Sequence, residues 1–200
     1  MLMNKKVIGI TGGIGSGKST VVQLFEAYGI PAYTADDEAK KLMHTDEALK
    51  ASIIELLGNE SYIDGKLNRP YVASKVFSDE QLLQQLNELV HPAVHAHFKN
   101  WAMLQTSPSV VYEAAILIEQ GRQSFCDLVI LVTAPKEERI KRVMQRDAVS
   151  REEVLARMNR QWSDDKKKNF ANFVIENTNL HKTQENIQNI YKYLKNNHFV

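Results

Sequence analysis

The chain has one cysteine in 200 residues, Cys126, which excludes an internal disulfide framework and any multi-cysteine zinc site. It stands beside the apolar run 128–132 and is read as a packing residue. Charge of one sign is equally scarce. With 25 Lys and Arg against 24 Asp and Glu the net is +1, so no global field draws the chain to nucleic acid or to an anionic membrane, and any anion preference has to be local. Long hydrophobic runs are missing too. The stretches 114–118 and 128–132 are strand-sized, far below the roughly 20 residues that span a bilayer, and the apolar stretch at 7–11 is too short for the core of a secretory signal. There is no internal repeat and no low-complexity segment. These absences predict a soluble, cytoplasmic, globular chain with no membrane, nucleic-acid or protein partner implied.

What is present alternates between two periodicities. The β-branched residues at 7–11 end in a glycine cluster, and Val21, Leu24, Phe25 and Tyr28 then recur at helical spacing, giving strand, glycine loop and helix. Gly29 and Pro31 stop that helix; 30–35 reads as a second strand ending at Asp36 and Asp37, and a helix with Ala39, Leu42 and Met43 turned inward follows. From about 46 to 106 the strand signals vanish. Leucine-rich periodic segments at 48–57, 71–77, 82–90 and 93–104 predict a helical insertion, with Ser78 to Gln81 a capping-box spacing and Pro92 suited to the first turn of a new helix. Strand character returns at 109–113 and 128–133. Pro135 opens a charged helix with Ile140, Val143 and Met144 on one face, and Ser150 to Glu153 is a second capping box that starts a helix through Arg160. A last strand at 173–175 precedes an amphipathic helix at 184–195 carrying Ile187, Ile190, Tyr191 and Leu194. This alternation implies an α/β fold with a parallel sheet wrapped on both faces.

The chemistry is carried by Gly12-Gly13-Ile14-Gly15-Ser16-Gly17-Lys18-Ser19, which satisfies G-x-x-x-x-G-K-[ST] in full between a predicted strand and a predicted helix. The glycines let successive N–H groups curl inward around an anion, and the helix N-terminus adds the positive end of its dipole. Lys18 reaches the β- and γ-phosphates, and the Ser19 hydroxyl is placed to ligate Mg²⁺. The rival dinucleotide fingerprint fails, because a G-x-G-x-x-G beginning at Gly13 needs glycine where Lys18 stands.

A phosphate loop implies ATP or GTP without saying what is done with it. Neither N-K-x-D nor D-x-x-G occurs in the sequence, which argues against a switch GTPase, and no L-S-G-G-Q string points to a transporter ATPase. A small-molecule kinase fits better. Residues 136–168, read as a lid, hold 11 of the 25 Lys and Arg against 7 acids, and a mobile arginine-bearing lid can neutralise transferring phosphoryl oxygens while shutting out water. Arg142 and Arg146 are the preferred pair, since a spacing of four places both on one helical face.

The run from Ile8 to Thr20 is narrower than a generic phosphate loop and resembles dephospho-CoA kinases. Matches continue along almost the whole chain: the turn Ala35-Asp36, Leu86-Asn87 followed by His91-Pro92, the apolar stretch ending at Glu119, the lid stretch 142–147 and Val174-Ile175-Glu176-Asn177. The resemblance implies a three-layer P-loop NTPase fold forming a single kinase domain over 1–200. Its core would be about 1–45, 107–135 and 170–200, with a helical CoA-binding insertion at about 46–106 and a lid at about 136–168. The implied reaction moves the ATP γ-phosphoryl to the ribose 3′-hydroxyl of dephospho-CoA with Mg²⁺ present. Asp36 then corresponds to the catalytic base, acting with Lys18, Arg142 and Arg146. Gly12, Gly13, Ile14, Gly15, Ser16, Gly17, Lys18, Ser19 and Thr20 would bind the nucleotide, and Ser19 the metal. Two positions depart from the family pattern: Thr34 stands where the first aspartate of D-A-D is usual, and Ala115 where proline is usual.

Other features are read as structural. His91, His95 and His97 lack the accompanying acid of a zinc helix, and Tyr71, Phe77 and Trp101 are taken as packing residues. Two alternatives stay open from the residues alone. One is a nucleoside or nucleoside-monophosphate kinase, and the other is an ATP-binding regulatory module without catalysis. GTP in place of ATP is also compatible with a loop that contacts phosphates and not bases.

Overall fold

The structure, a computed structural model, describes residues 5–77 and 79–200. Its elements in chain order are β1 (Lys6–Thr11), α1 (Lys18–Ala27), β2 (Ala32–Thr34), α2 (Ala35–Thr45), α3 (Glu47–Leu57), a hairpin of β3 (Tyr62–Ile63) and β4 (Lys66–Leu67), α4 (Arg69–Phe77), α5 (Glu80–Leu104), β5 (Ser109–Glu113), β6 (Leu128–Thr133), α6 (Lys136–Asp147), α7 (Arg151–Asn159), α8 (Asp164–Lys168), β7 (Phe173–Glu176) and α9 (Leu180–Asn196). They form two compact units, one taking in the chain up to Thr34 together with Met103–Val200, the other Ala35–Ala102.

The first unit holds a five-stranded sheet in the order β2-β5-β1-β6-β7, parallel at every junction. Such a sheet needs cover on both faces, and accordingly β5 and β6 bury every residue they contain. On one face Val21, Val22 and Phe25 of α1 and Ile187, Ile190 and Leu194 of α9 join Ile8, Ile10, Val111, Ile130 and Ile175 in one core cluster. Each such burial is worth roughly 1.5–3 kcal/mol, so side chains hold this layer at least as firmly as strand pairing does. The expected α/β class is what the chain forms. The chain leaves β1 for β2 on one side and β5 for β6 on the other, so the C-terminal ends of β1 and β5 flank the point where the winding reverses. Open α/β sheets bind their ligands there.

Three boundaries differ from the sequence expectation. The second strand stops at Thr34 and Ala35 opens α2, because Asp36, Asp37 and Glu38 suit the positive end of a helix; Asp36 therefore lies in a first helical turn and not at a strand end. The break expected between 90 and 93 is absent, and α5 runs as one helix through Pro92. An interior proline costs roughly 3 kcal/mol, but Leu86, Val90, Val94, Phe98 and Ala102 are buried at an uninterrupted spacing of four, and that stripe overrides the local break. The last helix begins at Leu180 instead of 184, since the Asn179 side chain accepts from the N–H groups of His181 and Lys182.

In the second unit Asp46 caps α3 by accepting from Leu49 N–H at 3.0 Å. Tyr62 Oη donates to the Met43 carbonyl at 2.7 Å and Tyr71 Oη to that of Leu57 at 2.9 Å, tying the hairpin and α4 to α2 and α3. Phe77, expected to pack, is 73% exposed, whereas Trp101 stacks on Phe98. Ser78, half of a predicted capping box, lies outside the described residues; Asp79 accepts from Leu82 N–H at 3.0 Å. The Ser150–Glu153 capping box forms on both sides.

Candidate active site

The loop between β1 and α1 is shaped by its glycines. Gly15 and Gly17 adopt φ of +79° and +87°, a region that strains any residue bearing a Cβ. Gly17 is also the N-cap of α1, which has no side-chain cap and no acid in its first turn. Its leading N–H groups and dipole end are therefore available to an anion. The loop is tightly surrounded: a Cβ on Gly13 would fall 1.9 Å from Arg139 Nη2, and one on Gly17 2.0 Å from Asn177 Nδ2. Ser16 Oγ is buried without a hydrogen-bond partner among the described residues. Ser19 is exposed and Thr20 half-buried on the first turn of α1.

Lys18 Nζ donates to the Gly12 carbonyl at 3.1 Å and lies 3.6 Å from Glu113 Oε1. Glu113 is the last residue of β5, level with Ile10 of β1. The ammonium thus sits where the sheet winding reverses, in low-exposure surroundings in which its charge acts more strongly than in water.

The two arginines of α6 do different things. Arg142 Nη1 donates to the Gly15 carbonyl at 3.4 Å, and Nη2 to the Asn177 carbonyl at 2.9 Å and to Glu138 Oε2 at 3.0 Å. Arg146, 66% exposed, is bound by Asp147 at 2.7 Å, and Arg157 shares that carboxylate at 2.9 Å. The hydrogen bond from Arg146, aided by Arg157, holds the Asp147 carboxyl below its ordinary range. Spacing on one helix therefore brings Arg142, but not Arg146, onto the phosphate loop. Asp36 belongs to the second unit, where it is exposed and takes no ion pair among the described residues. Its first-turn neighbours Asp37 and Glu38 are bound by Lys40 and Lys41 at 2.7 and 2.6 Å.

Four residues at the loop carried no assigned role in the sequence reading. Arg139 Nε donates to the Ile14 carbonyl at 2.9 Å and Nη1 to Asp164 Oδ2 at 3.1 Å, while Gln161 Oε1 accepts from Ile14 N–H at 2.8 Å. Asn177 Nδ2 donates to the carbonyls of Ser16 and Gly17 at 3.0 and 3.5 Å, and its Oδ1 accepts from Thr183 Oγ1 at 3.0 Å. Glu113 is the fourth. Arg139 was findable, since it precedes Arg142 by three and so shares its helical face; Gln161 and Asn177 follow no local periodicity.

The sequence model of the dephospho-CoA kinase family matches residues 6–182. A dephospho-CoA kinase of Bacteroides fragilis is 40% identical over 171 residues, 85% of this chain and 83% of that protein. One of Thermus thermophilus is 39% identical over 172 residues, 86% and 83% respectively. A Thermus thermophilus crystal structure superposes with a TM-score of 0.87 at 36% identity, covering 95% of this chain and 97% of its own. The Campylobacter jejuni dephospho-CoA kinase superposes at 0.60 with 26% identity and the same coverage. A shikimate kinase from Bacteroides thetaiotaomicron, 11% identical with a TM-score of 0.54, shares the fold alone. A phosphate loop is common to many folds and reactions, but a match that runs from the first strand of the sheet into the last helix is not, and on it the chain belongs to the dephospho-CoA kinase family.

Proposed function

We propose that the chain transfers the γ-phosphoryl group of ATP to the ribose 3′-hydroxyl of dephospho-CoA, giving coenzyme A and ADP. The observation that carries this reading is the uncapped N-terminus of α1, opened by Gly17 and fronted by Lys18 at the reversal point of the sheet, in a chain of this family. Phosphoryl transfer asks little covalent chemistry of the protein; positioning and charge neutralisation supply most of the acceleration.

In this reading the loop from Gly12 to Thr20 cradles the β- and γ-phosphates with its N–H groups, and Lys18 moves from Gly12 and Glu113 onto the phosphate oxygens. Arg142, already on the loop, neutralises charge that develops during transfer, and Arg146 joins it from the exposed end of α6. Asp36 orients the 3′-hydroxyl and accepts its proton as the new P–O bond forms. Residues at about 46–106 bind the CoA moiety, 136–168 cover the nucleotide and exclude water, and the remainder is the core. The donors present suit Mg²⁺: Ser19 offers a hydroxyl and Glu113 a carboxylate, both hard oxygen ligands. Bound there, the ion would neutralise phosphate charge. No helix among the described residues is long and apolar enough to cross a membrane, in keeping with a cytoplasmic enzyme.

The test is ADP release from ATP and Mg²⁺ with dephospho-CoA, AMP, CMP or a nucleoside as acceptor. Stimulation by dephospho-CoA alone is expected. Stimulation by a nucleoside or its monophosphate would overturn the acceptor assignment, and tight ATP binding with no stimulated release would indicate a regulatory module.

A further inference from the structure

Lys167 belongs to a run of three lysines that looks solvent-facing in sequence, yet it is fully buried. Its Nζ lies 2.8 Å from Glu119 Oε1 and donates to the Ala115 carbonyl at 3.2 Å. The same Glu119 oxygen accepts from Trp162 N–H at 3.1 Å, and the Ala115 carbonyl also accepts from Thr11 Oγ1, at the end of β1, at 3.3 Å. Residues 162 and 167 are thereby fixed to one carboxylate behind the sheet end. Interleaved with them, Gln161 holds the Ile14 N–H, and Asp164 holds Arg139, which holds the Ile14 carbonyl. One short stretch of chain thus has one set of contacts on Glu119 and another on the phosphate loop.

A buried ion pair adds little stability relative to well-packed apolar side chains. This network also leaves Glu119 Oε2 and Asp164 Oδ1 buried without hydrogen-bond partners among the described residues, a cost that a purely stabilising arrangement would not carry. We propose that Glu119 and Lys167 are positioning residues for ATP: they set the register of 161–167 so that Gln161 and the Asp164–Arg139 pair hold both polar groups of Ile14 in the phosphate-binding shape. The inference rests on reading the loop as the ATP site, and a fold-wide role alone would not single out the nucleotide.

The experiment compares the wild-type chain with Gln161→Ala, Lys167→Met, the double variant Glu119→Leu with Lys167→Met, and that double variant carrying Gln161→Ala. ATP affinity is read by calorimetry, KM for each substrate by steady-state kinetics, and stability by thermal melting. Lys167→Met leaves Glu119 unpaired and should melt early. The double variant, with apolar side chains in place of the pair, should recover its melting temperature but keep an ATP Kd and KM raised about fivefold to tenfold, with KM for dephospho-CoA unchanged. Adding Gln161→Ala should raise the ATP values no further. Recovery of ATP affinity together with melting temperature, or a parallel rise in both KM values, would overturn the proposal. Unaltered ATP affinity in Gln161→Ala would do the same even where the paired variants do not fold. A wild-type chain that binds ATP but phosphorylates no acceptor contradicts the kinase reading and leaves the calorimetric comparison intact.

Discussion

Asn177 fastens the phosphate loop to the far edge of the sheet: its side-chain amide donates to the Ser16 carbonyl at 3.0 Å from the turn that follows β7. The same side chain donates to the Gly17 carbonyl and accepts from Thr183 Oγ1, so it has to be both donor and acceptor, while the main-chain carbonyl of Asn177 accepts from Arg142. Asn177→Ala should therefore cost about 1–3 kcal/mol of stability and weaken ATP binding. Asn177→Asp should be worse on both counts, because a carboxylate would face two carbonyls and add negative charge beside the phosphates. Thermal melting and an ATP titration of both variants check the order; equal ATP affinity in the two would contradict it.

Gly17→Ala combines an unfavourable backbone angle with a Cβ 2.0 Å from the Asn177 amide. A loss of about 1–3 kcal/mol is expected from the backbone alone, and displacement of Asn177 should remove most ATP binding. Denaturant unfolding with ATP titration measures it, and wild-type affinity would show that the loop tolerates a shift that the packing forbids.

Lys18 and Asp36 should separate kinetically. On the proposed role, Lys18→Ala removes a charge serving both ATP and the developing transition state, and kcat/KM for ATP should fall by about 10²–10³. It also removes the cation 3.6 Å from the Glu113 carboxylate, which is 11% exposed, and should lower the melting temperature. Asp36→Asn should keep ATP affinity and lose about 10²–10⁴ in kcat. Near-normal turnover in Asp36→Asn would remove that residue from proton transfer.

Cys126 gives a pH signature. Burial first, and the neighbouring Asp127 second, push its thiol up from 9.0 to about 12. The folded state then binds a proton that the unfolded state releases, so this contribution is fully present below pH 9 and is lost as pH rises from about 9 to 12. Iodoacetamide should leave the native protein unlabelled at pH 8 and label it in denaturant. Rapid native labelling would contradict the raised pKa of this half-buried thiol.

The sheet and the phosphate loop were legible because each is a local pattern: short β-branched runs, a glycine string of fixed spacing, and a helix after it. Pro92 misled because the stripe from Leu86 to Ala102 stabilises α5 through tertiary packing that a local breaker rule does not weigh. Lys167, one of the 11 basic residues of 136–168, could not be singled out for a related reason. A lysine between two lysines reads as solvated, and only the return of the chain to Glu119 supplies the buried partner. The spacing of four puts Arg142 and Arg146 on one helical face, but it could not show that Arg142 reaches the Gly15 carbonyl while Arg146 turns to its own neighbour Asp147. The helical face was visible in sequence; the competing carboxylate was not.

The central claim is tested most directly by locating the phosphate in the product. The chain is incubated with ATP, Mg²⁺ and dephospho-CoA, and the product is characterised by mass spectrometry and phosphorus NMR. The account predicts one ADP formed for each dephospho-CoA consumed, with the added phosphate on the ribose 3′-oxygen. ADP formed without a phosphorylated acceptor, or a phosphate carried at any other position, would contradict it.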